Sequence, residues 1–592
     1  MVGEVGVQVV QAALDSYNAE TRALATQLGV TEESYYPSIR QLLSAVLSHT
    51  QLPFEVRTGT SEIRPGKGRD RPDFVVADAS LIAAYGEVKA PAADLNQLAG
   101  STERDDQIGR YLARVGVVLV CNVREIGIVL CRSGVSRAGL DRVAPTDREL
   151  VRTAPLWSAE DDRSRIANEL IEMLQVTLLD SAPIGEPATL ARILALQAKA
   201  AKAALPKDLR DLQSLLEDYR DALGLSFDLD DEDGREFFKS TLIQTAFYGL
   251  FAAWALWQRD ADGTAFSWDR INRYLRIPFL AGLFHEFRNP SRLRHLDLER
   301  HLDRATDTLN RVDLSIFRER MTFPSLSDGD VAGAAMTYFY EPFLEAFDPK
   351  LKKAMGVWYT PPEVVRYQVR LAHSILKEKL GRPLGLADDN VVLLDPCCGT
   401  GAYLLEAAKC IADELRENGE DSLVGLSLLR ALTSRIFGFE VLTAPFAIAQ
   451  LQLYIMLSDL RAPPPNDQRL GIFLTNALTG WRDRRQLELN FPELQQEFEA
   501  AQAVKQDADI VVVLGNPPYD RQAAVRVEEE AGLVDHYKGV TYIEQRRRDG
   551  TTQLVPERST LLFRKWGVRK QLLNDLYVRF YRLAEGENGE ER

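Results

Sequence analysis

Apolar positions along the chain fall into three regimes. Over residues 1–155, 3.6-residue spacing in Val7–Leu28 and Ser38–Leu47 predicts two helices. Shorter apolar runs then predict strands at Val115–Asn122 and Ile126–Cys131. Residues 156–330 keep the helical period throughout, in IANELIEMLQVTLL, ATLARILALQAKAAKAAL and DLQSLLEDYRDAL, interrupted by an acidic loop at Asp228–Asp233. From residue 331 to 592, continuous apolar runs alternate with helical patterns, the runs lying at 391–395, 436–440, 471–475 and 510–514. Strands that are apolar on both faces and alternate with helices predict an α/β fold built on a buried, mostly parallel sheet.

The polar residues sit where those strands end. Val391–Leu394 runs straight into Asp395-Pro396-Cys397-Cys398-Gly399-Thr400-Gly401, and a helical pattern follows from Tyr403. Open α/β sheets bind ligands at the carboxyl ends of their strands. Gly399 and Gly401 have no Cβ, so backbone there can approach a ligand closely. A carboxylate in this turn suits a ligand with an ammonium group and hydroxyls, and no Lys-Ser/Thr pair follows to make a P-loop. The run Ile510–Leu514 opens into Asn516-Pro517-Pro518-Tyr519. Two prolines remove two N–H donors, so this turn presents carbonyls and one amide side chain. The Asn516 side-chain oxygen and the Pro517 carbonyl can both accept from an exocyclic NH2, and Tyr519 offers a flat ring to a base swung out of its stack. The bland alternatives are a Gly-rich and a Pro-rich strand connection.

Together, DPCCGTG and NPPY resemble motifs I and IV of S-adenosylmethionine-dependent amino-methyltransferases, in particular the adenine-N6 DNA methyltransferases. The stretch YFYEPFLEAFDPKLKKAMGVWYTPPEVVRYQV, residues 338–369, is similar to the lead-in of type IIG and type ISP restriction-modification enzymes. The resemblance covers about the last 260 residues. It implies a Rossmann-like sheet, with Tyr359, Thr360 and Pro361 against the methionine part of the cofactor. It further implies that Asp395, Pro396, Gly399, Thr400 and Gly401 cradle the cofactor and that Glu440, at the end of a second strand, takes the ribose hydroxyls. A solvent-facing strand-end carboxylate is the other reading of Glu440. Asn476 stands where many relatives have Asp against the cofactor's adenine. Asn516, Pro517, Pro518 and Tyr519 would carry the methyl-transfer site, with double-stranded DNA as substrate.

The first regime carries a second candidate chemistry. Asp73 opens Asp73-Phe74-Val75-Val76, and Glu87-Val88-Lys89 follows in the next strand-like run. Alternation puts Glu87 and Lys89 on one face with Val88 turned into the core. Converging carboxylates can hold Mg2+, and Lys89 can stabilise an attacking water or the developing phosphate charge. This is the PD-(D/E)xK nuclease pattern. Gln107 and Tyr111 in a following helix, and Glu32 upstream, resemble the Mrr- and RecB-like branch, which implies catalytic roles for Gln107 and Tyr111 and a metal set of Glu32, Asp73 and Glu87. For Glu32 the alternative is a first-turn carboxylate complementing a helix dipole.

The chain has 592 residues, 45% hydrophobic and 27% charged, with a net charge of -15. That balance argues against a surface that wraps nucleic acid everywhere and leaves DNA contact to local patches. Arg546–Arg548 and Arg558–Lys570 are the candidates, with a solvated amphipathic face as the alternative. Arg288, Arg292, Arg294 and Arg300 are a further candidate for DNA-backbone contact, but the regime at 156–330 reads more simply as a helical connector between nuclease and methylase. The longest apolar run, Ala246–Trp257, is too short to span a bilayer. Five cysteines without metal-ligand spacing, and an N-terminus without a basic signal region, predict a cytoplasmic protein with reduced thiols. No Walker motif is present. The family sheet has seven strands, whereas four are read here before a final helix at Leu572–Leu583. The expectation is therefore a fragment or one half of a split enzyme, with a second polypeptide supplying later strands and target recognition. Two further readings stand beside this: a protein glutamine methyltransferase, since release-factor methyltransferases also carry NPPY, and a non-catalytic subunit of a defence complex.

Overall fold

The computed structural model describes residues 4–50, 52, 54–58, 72–78, 82–100, 106–132, 140–181, 183–206, 213–223, 232–260, 265–275, 277–287, 296, 298–313, 334–348, 360–465, 468–481, 487–518, 541–546, 552–557 and 575–585. The chain divides into two compact units, one of residues 1–194 with 304–321, the other of 195–303 with 322–592. The segment 156–330, read as a connector, contributes residues to both units. Its first helix, Arg163–Ser181, belongs to the N-terminal unit, and its longest, Glu232–Asp260, to the C-terminal one. The reason is visible in the sequence of the longer helix: apolar on all sides, it has to be covered on all sides and cannot serve as an open spacer. Phe247, Tyr248, Phe251 and Trp254 are buried, and Phe251 stacks on Phe339 at 3.7 Å.

The N-terminal unit is a six-stranded sheet in sequential order: β1 (Glu55–Arg57), β2 (Phe74–Ala77), β3 (Ile82–Val88), β4 (Val117–Cys121), β5 (Glu125–Cys131) and β6 (Arg148–Pro155). Neighbours are antiparallel except β3 and β4, which run parallel because the helix Gln107–Val115 crosses between them. The helices at Glu4–Ala25 and Tyr36–Ser48 lie close to the expected positions. Val115 ends a helix instead of opening a strand, since Gly116 takes a left-handed conformation and stops it there. Asp106 caps that helix through Gly109 and forms a buried ion pair with Arg148 of β6, which also donates to the carbonyls of Val143 and Ala99.

The C-terminal unit is organised on a four-stranded, wholly parallel sheet, β7 (Leu393–Asp395), β8 (Ile436–Glu440), β9 (Ile472–Leu474) and β10 (Val512–Val513), ordered β10-β7-β8-β9. All four expected strands are present, β8 with the expected bounds and the other three shortened. β10 is less covered than its apolar run suggests, with Val511 and Val513 each 38% exposed. An antiparallel hairpin, β11 (Thr541–Arg546) and β12 (Thr552–Glu557), was not foreseen, and the last helix is Leu576–Glu585. No helix among the described residues is long and apolar enough to cross a membrane.

Candidate functional site

In the C-terminal unit the chain leaves β7 for β8 on one side and returns to β10 on the other. The two strand-end loops beside β7 therefore face one crevice, where the connections diverge. Asp395 closes β7 and is 0% exposed. Its Oδ1 accepts from the Cys397 amide at 3.1 Å, while Oδ2 is buried and meets no hydrogen-bond partner among the described residues. Burial pushes this carboxyl up to about 8, the Glu440 charge adds to that, and the Cys397 amide opposes it. Pro396 is buried and Thr400 half-buried. Gln452 donates to the Thr400 carbonyl at 2.7 Å and pins the turn to the helix Thr443–Asp459. Gly401 starts the helix Ala402–Glu417. Gly399 has φ of 55°, and a Cβ placed there would find nothing within 4 Å. The turn thus presents bare backbone to open space.

Glu440 ends β8 but does not face solvent. Its Oε1 accepts from the Val441 and Leu442 amides, each at 2.8 Å, and its Oε2 accepts from Gly399 at 2.9 Å. Burial raises this carboxyl to about 6 against the pull of those three amides. Glu440 is therefore a strut of the Gly399 turn before it is anything else. Asn476, beyond β9, is half-buried and accepts from Leu478 at 3.0 Å through its side chain.

Asn516 reaches the same crevice from β10. Its Nδ2 donates to Thr360 Oγ1 at 3.0 Å, and its backbone lies beside the Cys397 thiol. Gly515 packs against Asp395 so closely that a Cβ there would lie 2.6 Å from Oδ1. Thr360, Asp395, Gly399, Glu440 and Asn516 are thereby brought together, with Pro361 exposed at the start of the helix Pro362–Glu378. Pro517 and Pro518 follow half-buried. Tyr359, Tyr519, Arg288, Arg292, Arg294, Arg547, Arg548 and Arg558–Lys570 lie outside the described residues. Arg300 is an exposed residue of the helix Leu298–Asn310.

Two residues of this site were not read from the sequence. Lys505 is buried, and its ammonium donates to Thr475 Oγ1 at 2.8 Å and to the Asn476 carbonyl at 2.7 Å, beside the Phe439 ring. The available signal was a charge at an apolar-face position, since Leu494, Glu497, Ala501, Val504 and Lys505 share the buried side of the helix Pro492–Asp507. Tyr219 is buried too, and its hydroxyl donates to the Val441 carbonyl at 3.4 Å. Nothing local marks it.

In the N-terminal unit β2 and β3 align Asp73 with Glu87, the Asp73 amide donating to the Gly86 carbonyl at 3.0 Å. Asp73 Oδ2 accepts from the Val88 amide at 2.7 Å, and Oδ1 accepts from the Tyr36 hydroxyl. Glu87 is 3% exposed; Oε1 pairs with Lys89 Nζ at 2.5 Å, and Oε2 is buried without a hydrogen-bond partner among the described residues. Burial raises the Glu87 carboxyl to about 7, and the Asp73 charge adds to it against the pull of Lys89. Burial also raises Asp73, against the Tyr36 and Val88 donors.

Among the described residues no group of three or more His, Cys, Asp or Glu side chains is placed to hold a metal ion. Glu32 Oε1 accepts from the Ala90 amide at 3.0 Å. Asp73 and Glu87 remain as a carboxylate pair whose orphaned Oε2 suits a divalent cation. Tyr111 is 0% exposed and packs in the core with Leu112, Val118, Val120 and Val129, its ring 4.8 Å from Tyr85. It supports the sheet from beneath. Gln107 is half-buried at the start of its helix.

Comparison with known proteins bears on the C-terminal unit. Residues 331–541 match the family described as N-6 DNA Methylase. The methylase subunit of the type I restriction enzyme EcoEI of Escherichia coli is 25% identical over 213 residues, which is 34% of this chain and 36% of that protein. Among solved structures, the DrdV–DNA complex is similar at 18% identity and a TM-score of 0.44, over 97% of this chain and 48% of that one. The type ISP enzyme LlaBIII bound to DNA is similar at 18% identity and a TM-score of 0.45, over 72% of this chain and 26% of that one. The chain thus spans about a third of the curated relative it matches and less than half of these structures.

Proposed function

We propose that this chain, whose residues 331–541 form an N6-adenine DNA methylase domain, methylates adenine N6 in DNA as part of a restriction-modification system, and that its N-terminal unit is a linked endonuclease. The observation that carries the first part is the contact between the two strand-end loops, Gly515 on Asp395 and Asn516 on Cys397 and Thr360. The parallel order β10-β7-β8-β9 supports a Rossmann-like reading, since its switch point lies between β10 and β7.

The residues fit S-adenosylmethionine, the methyl donor of this family. Gly399 leaves room for a ligand against bare backbone, and the orphaned Asp395 Oδ2 is an acceptor for an ammonium group. When bound, the cofactor supplies an electrophilic methyl on a sulfonium. Thr360, Asp395, Gly399, Thr400 and Gly401 would hold it, with Glu440 fixing the turn and Asn476 and Lys505 shaping the far end. Adenine N6 is a weak nucleophile because its lone pair is delocalised into the ring. The Asn516 side-chain oxygen and the Pro517 carbonyl would accept its two N–H bonds, draw the amine out of plane and hold the surplus N6 proton by hydrogen bond until it passes to solvent. Holding the amine in line with the methyl is the main contribution asked of the protein. Tyr519 would stack on the flipped base and offset part of the cost of unstacking, about a few kcal/mol.

For the endonuclease, the Asp73 and Glu87 pair would hold Mg2+, and Lys89 would stabilise charge on the attacked phosphate. The uncovered Val511 and Val513 beside β10 support a further element, in this protein or a partner chain, packing there before target recognition is complete.

Calorimetry with S-adenosylmethionine on wild type and Asp395→Ala tests the cofactor site. Mass spectrometry of DNA after incubation with wild type and Asn516→Ala tests transfer to N6. Nicking of supercoiled plasmid with Mg2+ by wild type but not Lys89→Ala tests the nuclease. Cofactor binding that survives Asp395→Ala undiminished, or a methyl group found elsewhere than N6, would reject the methylase reading.

A further inference from the structure

We infer that Tyr36 is a positioning residue of the cation site in the N-terminal unit, orienting Asp73 so that it acts together with Glu87; this rests on the nuclease reading above. Tyr36 opens the helix Tyr36–Ser48, one turn after Glu32. From that single turn two side chains reach the active strands. Glu32 takes the Ala90 amide just beyond Lys89, and the Tyr36 hydroxyl donates to Asp73 Oδ1. The other Asp73 oxygen accepts from Val88 at 2.7 Å. Asp73 is therefore fixed by one donor on each oxygen, one from the sheet and one from the helix.

This arrangement leaves capacity for a cation. A carboxylate oxygen offers two lone-pair sites, so each Asp73 oxygen can keep its donor and still ligate. Glu87 contributes the buried Oε2 that meets no partner among the described residues. Without the hydroxyl, Asp73 would be held from the Val88 side alone and could rotate about its Cβ–Cγ bond away from Glu87. Hydrogen-bond partners behind a metal-ligating side chain are typically worth about 10–100-fold in metal affinity. Tyr36→Phe removes the hydroxyl and keeps the ring.

The test uses Mn2+ as the probe, titrated into the full chain and followed by its electron paramagnetic resonance signal, with melting in EDTA as the measure of the metal-free fold. Tyr36→Phe is expected to weaken Mn2+ binding at least about tenfold and to alter the bound-ion spectrum, while melting in EDTA still shows a folded protein with a single cooperative transition. Tyr36→Gln, whose amide can donate to Asp73, is expected to recover part of the affinity. Equal or tighter Mn2+ binding by a folded Phe variant overturns the inference while leaving the nuclease reading in place. So does a folded Gln variant no better than Phe. Absence of Mn2+ binding by the wild type, or undiminished binding by Glu87→Gln, overturns the nuclease reading itself.

Discussion

Substituting Gly515 by Ala would test the contact on which the methylase reading depends. A Cβ at this position would stand 2.6 Å from Asp395 Oδ1 and 3.2 Å from Cys397 Sγ. Ordinary contact begins at 3.4 Å, so the two loops must open by 3.4 minus 2.6, or 0.8 Å. Asp395 cannot swing aside, being 0% exposed and tied to the Cys397 amide. Nor can the strands separate cheaply. Val511 and Val512 donate to the Val392 carbonyl at 2.9 and 3.0 Å, and Leu514 donates to Leu394 at 3.0 Å. The displacement therefore passes into the loops and moves Asn516 away from the Gly399 turn. Overpacking of this kind costs about 1–3 kcal/mol of stability, and a shift of about 1 Å between reacting groups costs about a hundredfold in rate. Melting, cofactor calorimetry and N6-methyladenine formation are the assays. We expect a modest drop in melting temperature, weaker cofactor binding and a rate lower by about two orders of magnitude. Gly399→Ala is the contrast: its Cβ meets nothing in the cofactor-free protein, so the left-handed backbone costs only about 1–2 kcal/mol, yet it fills the space facing the turn and should abolish cofactor binding. A Gly515→Ala protein that binds and transfers like wild type would refute the reasoning.

Three further outcomes follow from individual residues. Glu440→Gln replaces an acceptor of three backbone amides by a group with one oxygen, so the Gly399 turn should loosen and cofactor affinity fall at least about tenfold by calorimetry, on the scale of a lost charge-assisted hydrogen bond of about 1.5–3 kcal/mol. Asp106→Asn leaves Arg148 buried without its counter-charge and should cost about 3–5 kcal/mol in denaturant unfolding; a change of a few tenths would show that the pair is not buried as described. Glu87, raised from 4.5 to about 7, binds its proton more tightly in the folded than in the unfolded chain. Its stabilising contribution is complete below pH 4.5 and lost as pH rises through about 7, up to about 3 kcal/mol without metal. Melting curves of wild type and Glu87→Gln in EDTA should therefore diverge in slope across that window, with the variant flatter.

Much of the C-terminal unit was legible because parallel strands are written as apolar runs and their ends as abrupt polar residues. Asp395, Glu440 and Asn516 could each be assigned to a strand end with no knowledge of the fold. In the N-terminal unit, alternation placed Glu87 and Lys89 on one face of β3, where the 2.5 Å ion pair now joins them. What escaped the sequence shares one property: its meaning lies in a distant partner. Tyr36 is a helix-start aromatic until Asp73, 37 residues on, is brought beneath it. Lys505 is an ordinary late-helix lysine until Thr475 and Asn476 receive it. β6, RELVRTAP, is too polar to announce itself and is ordered by pairing with β5 and by the Asp106 ion pair. Tyr111 shows how one spacing carries two readings, since the Gln107–Tyr111 interval also fits a buried helix face.

The order of the strands accounts for how few residues the proposed methylase chemistry would need. In a sheet ordered β10-β7-β8-β9, the loop after β7 has β8 on one side and β10 on the other, so one turn touches two neighbours that are far apart in sequence. Glu440 reaches that turn from β8 and holds the Gly399 amide; Asn516 reaches it from β10 and meets Cys397. The first contact uses backbone of the turn and the second the Cys397 side chain, and a Cβ at Gly399 would still meet nothing within 4 Å. On the proposed reading, a ligand laid on the open side of Gly399 would be bounded by Asp395 and Glu440, while a base entering from β10 would meet the Asn516 amide and the Pro517 carbonyl. Donor and acceptor would then approach from different strands across a single glycine-bearing turn. Moving Asn516 to the end of β9, two strands from β7, would lengthen that approach by one inter-strand spacing, about 4.8 Å, which is beyond the reach of an in-line transfer.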